Sequence, residues 1–200
     1  MADLLTKGGF RAGDNPGSWI NSNGVAVDLM VPEALAGSKR HRRSADLLAH
    51  GKRVARRAKG LEAALLDHQP MIISALDLTD NRSVTMNVAG PGALLVAKIH
   101  KIAERADELN RLSHKDSLDV LRLLQATETA DLAERLKKLL DDELSASVTT
   151  EAIQNLTPLF GSADAVGVQM AVRAAGPGAD PDFVSASMTA LVSDLLMALT

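Results

Sequence analysis

A run of basic side chains between residues 39 and 59 is the part of this sequence best suited to bind a charged ligand. It holds nine lysines and arginines and one acid, Asp46, so its local charge is +8. The basic residues are Lys39, Arg40, Arg42, Arg43, Lys52, Arg53, Arg56, Arg57 and Lys59. Clustered cations of this kind bind phosphate-bearing partners such as a nucleotide or RNA. The alternative is a solvated edge strand whose cations prevent pairing with other chains.

Asp28 is a candidate metal ligand because it interrupts an apolar run that extends over residues 25–31. An unpaired carboxylate is costly to bury. At the end of a strand that faces a cleft, its oxygens would hold Mg²⁺. The alternatives are a carboxylate that faces solvent on an alternating strand, or one that pairs with an arginine of the basic segment.

A second set of charged residues lies in the middle of the chain. Lys98, Lys101 and Arg105 recur every three to four residues, which places them on one face of a predicted helix. Asp116 and Asp119 are three residues apart in the first turn of the next predicted helix. Acids in a first turn complement the helix dipole, so a capped helix pair with surface salt bridges also explains this pattern. The five histidines lack the spacing of a metal site, and the sequence contains neither a GxGxxG loop nor a P-loop.

Short strands are predicted to position Asp28 and the basic segment. Asn23-Gly24 lies between two apolar-rich runs and predicts a β-hairpin, because both residues tolerate positive φ. Residues 62–68 and 71–76 are predicted to form another hairpin around a His-Gln-Pro turn. The predicted strands, which follow a short helix in residues 1–7, are residues 18–22, 25–31, 52–57, 62–68, 71–76 and 82–88.

Helices are predicted to position the second charged set. From Gly90-Pro91-Gly92 onwards, apolar residues recur at helical spacing, and Ser113 is a plausible N-cap of the second helix. The predicted helices are residues 93–106, 116–126, 129–143, 149–160 and 182–199, and a further packed helix could lie between 161 and 180. The sequence therefore predicts an α+β chain with a strand-rich part, residues 1–92, and a helical part, residues 93–200.

The composition narrows the class of protein. The chain has 200 residues, 46% of them hydrophobic, and a net charge of −3, which excludes an overtly basic nucleic-acid binder and an acidic disordered tail. The absence of cysteine excludes a disulfide framework and agrees with a reducing compartment. With three Phe, one Trp and no Tyr, base stacking is disfavoured. We expect a cytoplasmic protein without a membrane span, since a signal peptide and a long apolar run are both lacking.

In their order along the chain, several of these segments resemble the nucleotidyltransferase-like proteins of the AbiEii abortive-infection toxin group, within the polymerase-β-like nucleotidyltransferase superfamily. The segments are VAVDLMVP, RVARR, AGPGALLVAKIHKIAER and HKDSLDVLRLL, and the resemblance covers roughly residues 8–127. Its most specific part is the lysine-bearing helix followed by K-D-x-x-D-V at residues 115–120. The resemblance implies a partial nucleotidyltransferase-like mixed sheet followed by helices.

The resemblance also implies roles for individual residues. Asp28 matches the third metal-binding acid, Lys98 the helix lysine and Asp116 the aspartate of the K-D motif; these three are the expected catalytic residues, with Asp28 on Mg²⁺. Asp119 matches the second acid of that motif, and it is expected to bind substrate together with Lys101, Arg105, Arg53, Arg56 and Arg57. The acids would hold Mg²⁺ against the phosphates of a nucleoside triphosphate while Lys98 neutralises developing charge.

The sequence departs from the family before Asp28. Gly17-Ser18 lies ten residues ahead of Asp28 and imitates the family's Gly-Ser loop, but Met30 stands where a paired acid is expected. We therefore expect the later two-thirds of such a protein, without its first two metal ligands.

Three functional hypotheses remain open at this point. In the first, the chain is the toxin of a toxin–antitoxin pair, which transfers a nucleotide to an RNA acceptor if the missing ligands are supplied; an antitoxin protein is then an expected partner. In the second, it is a catalytically inactive module that binds a nucleotide, RNA or protein. In the third, the apolar last helix, residues 182–199, packs against a copy of itself in a homo-oligomer.

Overall fold

The computed structural model describes residues 1–37, 43–47, 50–106 and 114–200 of an α+β chain. Small sheets come first and helices follow, as the sequence predicts. The chain divides into two compact units, residues 1–62 (unit 1) and residues 63–200 (unit 2). The change from strands to helices falls at Gly90-Pro91, close to the predicted boundary, but unit 2 also includes the last β-hairpin.

Unit 1 contains two small sheets. Its elements are α1 (Ala2–Lys7), β1 (Phe10–Ala12), β2 (Ser18–Asn21), β3 (Ala26–Asp28), β4 (Met30–Pro32), a 3-10 turn (Glu33–Leu35) and β5 (Arg56–Ala58). Strands β1, β2 and β3 form an antiparallel meander, and β4 pairs with β5 in parallel. The predicted hairpin at Asn23-Gly24 is confirmed as β2–β3, and Gly24 adopts the positive φ of 79° that the turn requires.

The predicted strand over residues 25–31 is interrupted at Leu29, so that β3 and β4 belong to different sheets. The backbone N–H of Leu29 donates to the Gly17 carbonyl (2.7 Å), and its carbonyl accepts from the Arg56 N–H (2.8 Å). Gly17 has φ of 80°, and a Cβ there would collide with the Leu29 carbonyl. The glycine thus lets two backbone segments cross at close range.

Two buried polar groups support unit 1. The indole Nε1 of Trp19 donates to the Val54 carbonyl at 3.1 Å beneath the antiparallel sheet. Glu62 is buried, and its carboxylate accepts from the backbone N–H groups of Ala34 (3.0 Å) and Gly60 (2.9 Å). The carboxylate therefore satisfies backbone donors that no strand partner satisfies.

The predicted strand over residues 52–57 is wrong in its extent, since β5 begins only at Arg56. Residues 52–55 form bends that place Val54 and Ala55 in the core of unit 1. The alternation of basic and apolar residues in this segment reflects those inward turns of the chain and not a regular pleat.

Unit 2 begins with a hairpin and continues with six helices. Its elements, after a 3-10 turn at Glu62–Leu65, are β6 (His68–Ser74), β7 (Ser83–Ala89), α2 (Pro91–Ala103), α3 (His114–Ala126), α4 (Thr129–Leu140), α5 (Ala146–Phe160), α6 (Val166–Ala175) and α7 (Pro181–Leu199). The predicted helices are confirmed with end shifts of up to three residues, and α6 occupies the segment rich in small residues. Ser113, the predicted N-cap of α3, lies outside the described residues.

The predicted hairpin of residues 62–68 and 71–76 is wrong. Strand β6 runs through Pro70, and its antiparallel partner is β7. The Ala75 N–H donates to the Arg82 carbonyl at one end of the hairpin, and the Gly90 N–H donates to the Asp67 carbonyl at the other. These two bonds show which residue pairs of the hairpin are hydrogen-bonded and which are not, since the two kinds alternate along an antiparallel ladder. Pro70 and Asn87 form a pair without hydrogen bonds, so the strand tolerates the missing N–H of Pro70.

The helices of unit 2 share one apolar core. Helix α7 supplies Val184, Met188, Val192 and Leu195 to it. By length and composition α7 would also cross a bilayer, with a window of mean hydropathy 1.4, a test that core helices pass as well. The hypothesis that α7 pairs with a copy of itself stays a prediction.

Candidate functional site

Four of the residues predicted to form a site meet where α2 packs against α3. The Lys98 ammonium donates to Asp116 Oδ1 and to Asp119 Oδ2, both at 2.8 Å. The Lys101 ammonium contacts both oxygens of Asp116, at 2.9 Å to Oδ1 and 2.8 Å to Oδ2. We call these four residues the charged cluster. It joins residues that lie 15 to 21 positions apart in the sequence.

The amphipathic pattern of the two helices places these groups together. Helix α2 buries Leu95, Val96, Ile99 and Ile102 in the core, which leaves Lys98 and Lys101 on its flank. Helix α3 buries Val120, Leu121 and Leu124 and presents the aspartates of its first two turns to that flank. The apolar packing of the helices therefore fixes the distance between the lysines and the carboxylates.

Burial makes Asp116 the centre of the charged cluster. Its side chain is 5% exposed, whereas those of Lys98 and Lys101 are 28% and 41% exposed. A carboxylate removed from water needs both ammonium groups as compensation. Asp119 is more open, and its Oδ1 also lies 3.5 Å from Arg122 Nη1.

The pKa of Lys98 is raised above its ordinary value of 10.5. Desolvation is the largest single effect and lowers the pKa, but the hydrogen bonds to Asp116 and Asp119 and the charges of both carboxylates together outweigh it. The ammonium of Lys98 is therefore held in its charged form at physiological pH.

Arg105 was predicted on the same helix face as the two lysines. Helix α2 ends at Ala103, so Arg105 lies in the turn that follows, where it is half-buried. Within the described ranges, its Nε has no hydrogen-bond partner. The structure does not include Arg105 in the contacts of the charged cluster.

Asp28 is the last residue of β3 and pairs in register with Ser18. Its side chain is exposed, in agreement with the alternative of a carboxylate that faces solvent on an alternating strand. Asp28 belongs to unit 1, whereas the charged cluster belongs to unit 2.

The residues described do not gather the ligands that magnesium needs. Across residues 1–37, 43–47, 50–106 and 114–200, no three histidine or acidic side chains converge on one point. In the charged cluster, both carboxylates are engaged by lysines, which is the opposite of a cation site. Magnesium, with Asp28 as its ligand, remains an expectation from the resemblance.

The three arginines of the basic segment that were predicted to bind substrate all contact their own chain. Arg53 Nη2 donates to the Asp14 carbonyl at 2.8 Å, and Arg56 Nη2 lies 3.1 Å from Met30 Sδ. Arg57 Nη2 donates to the carbonyls of Ala36 and Gly37, at 3.3 and 3.2 Å. The side chain of Arg57 is only 6% exposed. Lys39, Arg40 and Arg42 lie outside the described residues, so the basic segment is seen only in part.

The sequence reasoning missed an ion pair at the start of α2. Asp67 Oδ1 accepts from Arg135 Nη1 at 2.6 Å, and its Oδ2 accepts from the Ala93 N–H at 2.9 Å, so Asp67 caps α2 from outside the helix. A Cβ at Gly90 would collide with this carboxylate, and one at Gly92 would lie 2.9 Å from its Oδ2. The Gly-Pro-Gly sequence is the signal that could have indicated a group packed closely against the backbone.

Asp67 and Arg135 also line an open groove of about 520 Å³ on unit 2. Its other lining residues include His68, Asp131, Lys138 and Asp142. Its lining has four acids, Asp67, Asp131, Glu134 and Asp142, against two bases, and both bases are paired, Arg135 with Asp67 and Lys138 with Glu134.

His100 is the buried histidine of α2. Its Nε2 lies 2.8 Å from the Val148 carbonyl, which requires the proton on that nitrogen, and its Nδ1 lies 3.9 Å from Glu151 Oε1. These contacts join α2 to α5 and identify a packed core histidine.

Comparison with known protein families, with curated proteins and with solved structures finds no match to this chain. The resemblance to the AbiEii group therefore remains a prediction that depends on the motifs in the sequence.

Proposed function

We propose that this chain is a nucleotidyltransferase-like protein that binds the phosphates of a nucleoside triphosphate at the charged cluster. The observation in favour is the convergence of Lys98, Lys101, Asp116 and Asp119 within 2.8–2.9 Å contacts on the flank of two packed helices. The resemblance assigns Lys98, Asp116 and Asp119 to the nucleotide pocket of the family, and Lys101 shares the helix face of Lys98.

The lysines retain capacity for a ligand. Each ammonium has three N–H donors. Lys98 uses two of them on Asp116 and Asp119, and Lys101 donates one to Asp116 Oδ1 and lies 2.8 Å from Oδ2. At least one donor of each lysine is left for a phosphate oxygen, as far as contacts among the described residues go. Asp116 thus positions two ammonium groups, and the exposed Arg122 adds a third cation nearby.

Transfer of the nucleotide is the second part of the proposal. In the toxin type of a toxin–antitoxin pair the acceptor is an RNA, and an antitoxin protein would bind the toxin. Such transfer needs metal ligands beyond Asp28, and we derive no step through the metal. The charged cluster would bind and orient the phosphates and neutralise part of their charge.

A catalytically inactive binding module is the second candidate. It is favoured because Lys98 and Lys101 already have carboxylate partners and Arg57 is committed to backbone carbonyls of unit 1. A closed charged cluster of this kind can bind phosphate without promoting its chemistry.

Calorimetric titration with each of the four nucleoside triphosphates in the presence of Mg²⁺ tests the shared part of both candidates. Lys101→Gln should weaken binding by at least about tenfold, since it removes a half-exposed cation from the cluster. The matched control is Lys137→Gln, because Lys137 is an exposed lysine on α4 with no role in the cluster. If none of the triphosphates binds, or if both variants bind equally well, the proposal is wrong.

Incubation of the protein with radiolabelled triphosphates and tRNA separates the two candidates. Labelling of tRNA by the wild-type protein, and its loss in the Lys98→Met and Asp28→Ala variants, indicates an active transferase. Triphosphate binding without labelled tRNA indicates the inactive module instead.

RNA binding by the basic segment needs variants that leave unit 1 folded. Lys52 and Lys59 are exposed, whereas Arg57 holds two backbone carbonyls, and Trp19 fluorescence checks that the lysine variant keeps unit 1 folded. Replacing both lysines by Gln should weaken tRNA binding and reduce the slope of log K against log salt by about one per lost phosphate contact. An unchanged slope would remove RNA from the proposal.

A further inference from the structure

The hairpin of β6 and β7 exposes an unusual amount of apolar surface. Leu76 and Leu78 at its tip are 102% and 98% exposed. The exposed apolar residues of the hairpin are Met71, Ile72, Ile73, Leu76, Leu78, Val84 and Met86. Met71, Ile73, Val84 and Met86 lie on one face of the hairpin and together present roughly 400 Å² there, at about 200 Å² for a fully exposed residue, while Ile72 lies on the other face. A two-stranded hairpin of this kind is also marginally stable alone in water.

The two edges of this hairpin differ. On β6, the backbone N–H and C=O groups of residues 68, 70, 72 and 74 point away from β7. Pro70 has no N–H, so this edge lacks one of its donors. On β7 the outward-facing residues are Ser83, Thr85, Asn87 and Ala89, and every one has an N–H group. Strand β7 contains neither proline nor charge, which are the usual protections of an edge strand. No further strand pairs with it in the described part of the chain.

We propose that β7 is a dimerisation edge at which the β7 strands of two copies of this chain pair antiparallel about a twofold axis. The sequence Ser83–Ala89 is complementary to itself in this arrangement. With Met86 opposite the Met86 of the other copy, Val84 lies beside Val88, and Thr85 lies beside Asn87. The product is a four-stranded antiparallel sheet with both β7 edges satisfied.

The absence of charge and the continuity of the apolar face favour a second copy over a different protein. The hairpin strands have no acidic, lysine or arginine side chain, so a charged partner finds nothing to pair with, while a second uncharged β7 meets no repulsion. Pairing at this edge joins Met71, Ile73, Val84 and Met86 of both copies into one apolar face of the four-stranded sheet. This proposal is independent of any nucleotide or RNA binding.

A cysteine variant tests the register of the pairing. In the proposed register, residue 86 occupies a pair without hydrogen bonds at the twofold axis, where Cα atoms are about 4.5 Å apart, a separation that a disulfide bridges. The natural chain has no cysteine, so Met86→Cys introduces a single thiol. Oxidised Met86→Cys should run as a covalent dimer, and the control Ile72→Cys, an exposed position on β6, should stay monomeric on a denaturing gel. Equal cross-linking of both variants, or of Ile72→Cys alone, overturns the assignment to β7.

A proline variant tests the edge itself. Thr85→Pro removes an outward-facing N–H without breaking a β6–β7 hydrogen bond, whereas Ser74→Pro does the same on the β6 edge. Sedimentation of the full chain should give a dimer whose dissociation constant rises at least about tenfold with Thr85→Pro and is unchanged with Ser74→Pro. Far-UV circular dichroism checks that both variants fold. A wild-type chain that sediments as a monomer at all concentrations, or two prolines with the same effect, overturns the proposal.

Discussion

Replacement of Asp116 by Asn is the most direct test of how the charged cluster stabilises unit 2. The carboxylate is 5% exposed and contacts two ammonium groups that are 28% and 41% exposed. Removing one partner of a fully buried ion pair costs about 3–5 kcal/mol, and removing an exposed pair costs at most about 1 kcal/mol. Since both lysines can turn toward water, we expect a loss of about 2 kcal/mol.

Asp119→Asn is the matched control for this prediction. Asp119 is 28% exposed, so its loss should lower the free energy of unfolding by only about 0.5 kcal/mol. Both replacements remove one negative charge from α3 and preserve the shape of the side chain. The comparison therefore contrasts a buried carboxylate held by two lysines with a more exposed one held by Lys98 and Arg122.

The two units can be followed separately in urea. Trp19 is the only tryptophan and lies in unit 1, so its fluorescence reports on that unit. The six long helices all lie in unit 2 and dominate far-UV circular dichroism. Asp116→Asn should shift the dichroism transition further than Asp119→Asn does. Equal losses for Asp116→Asn and Asp119→Asn, or a shift confined to fluorescence, would refute the argument.

Three further predictions concern pH and backbone packing. The pKa of Lys98 is raised above 10.5, so the stabilisation by its ammonium is complete below that pH and is lost as the pH rises through the raised value. The difference in unfolding free energy between wild-type and Lys98→Met, measured by urea titration, should therefore stay constant near neutrality and shrink at strongly alkaline pH. Gly17→Ala should destabilise unit 1 by about 2 kcal/mol or more, because its φ is positive and a Cβ would meet the Leu29 carbonyl, as the midpoint of Trp19 fluorescence will show. Gly90→Ala should lower the midpoint of the dichroism transition, because its Cβ displaces the Asp67 carboxylate that caps α2. In a double-mutant cycle, replacing Asp67 should then lower the free energy of unfolding by less than it does in the wild-type protein.

Local patterns were sufficient for the parts of the fold that local physics decides. Asn23-Gly24 predicted its hairpin because the turn needs positive φ within two residues. The helices followed from apolar residues at a spacing of three to four, and α2 begins at Pro91 because proline suits the first helical position. The two lysines and two aspartates of the charged cluster were predicted as site residues from their spacing and motifs, and the structure brings them into contact.

Three of the differences from prediction involve partners distant in sequence. Leu29 leaves its strand because its backbone bonds to Gly17 and Arg56, which no window around residue 29 contains. Strand β6 continues through Pro70 because of its register with β7. Arg57 looked like an exposed basic residue, but its side chain is largely buried where it holds backbone carbonyls of the segment at residues 36–37.

The sequence by itself determined the α+β class, the helices and which charged residues had the spacing to act together, because these depend on period and turn chemistry along the chain. Only the tertiary structure decided that Asp116 is the buried centre of its cluster, that Asp67 caps α2, and that β7 pairs with β6 alone in the described part of the chain. Each of these depends on which surfaces are removed from water when distant segments pack. The free energy of a charge or a backbone N–H depends on its burial, and the linear sequence does not show which groups become buried.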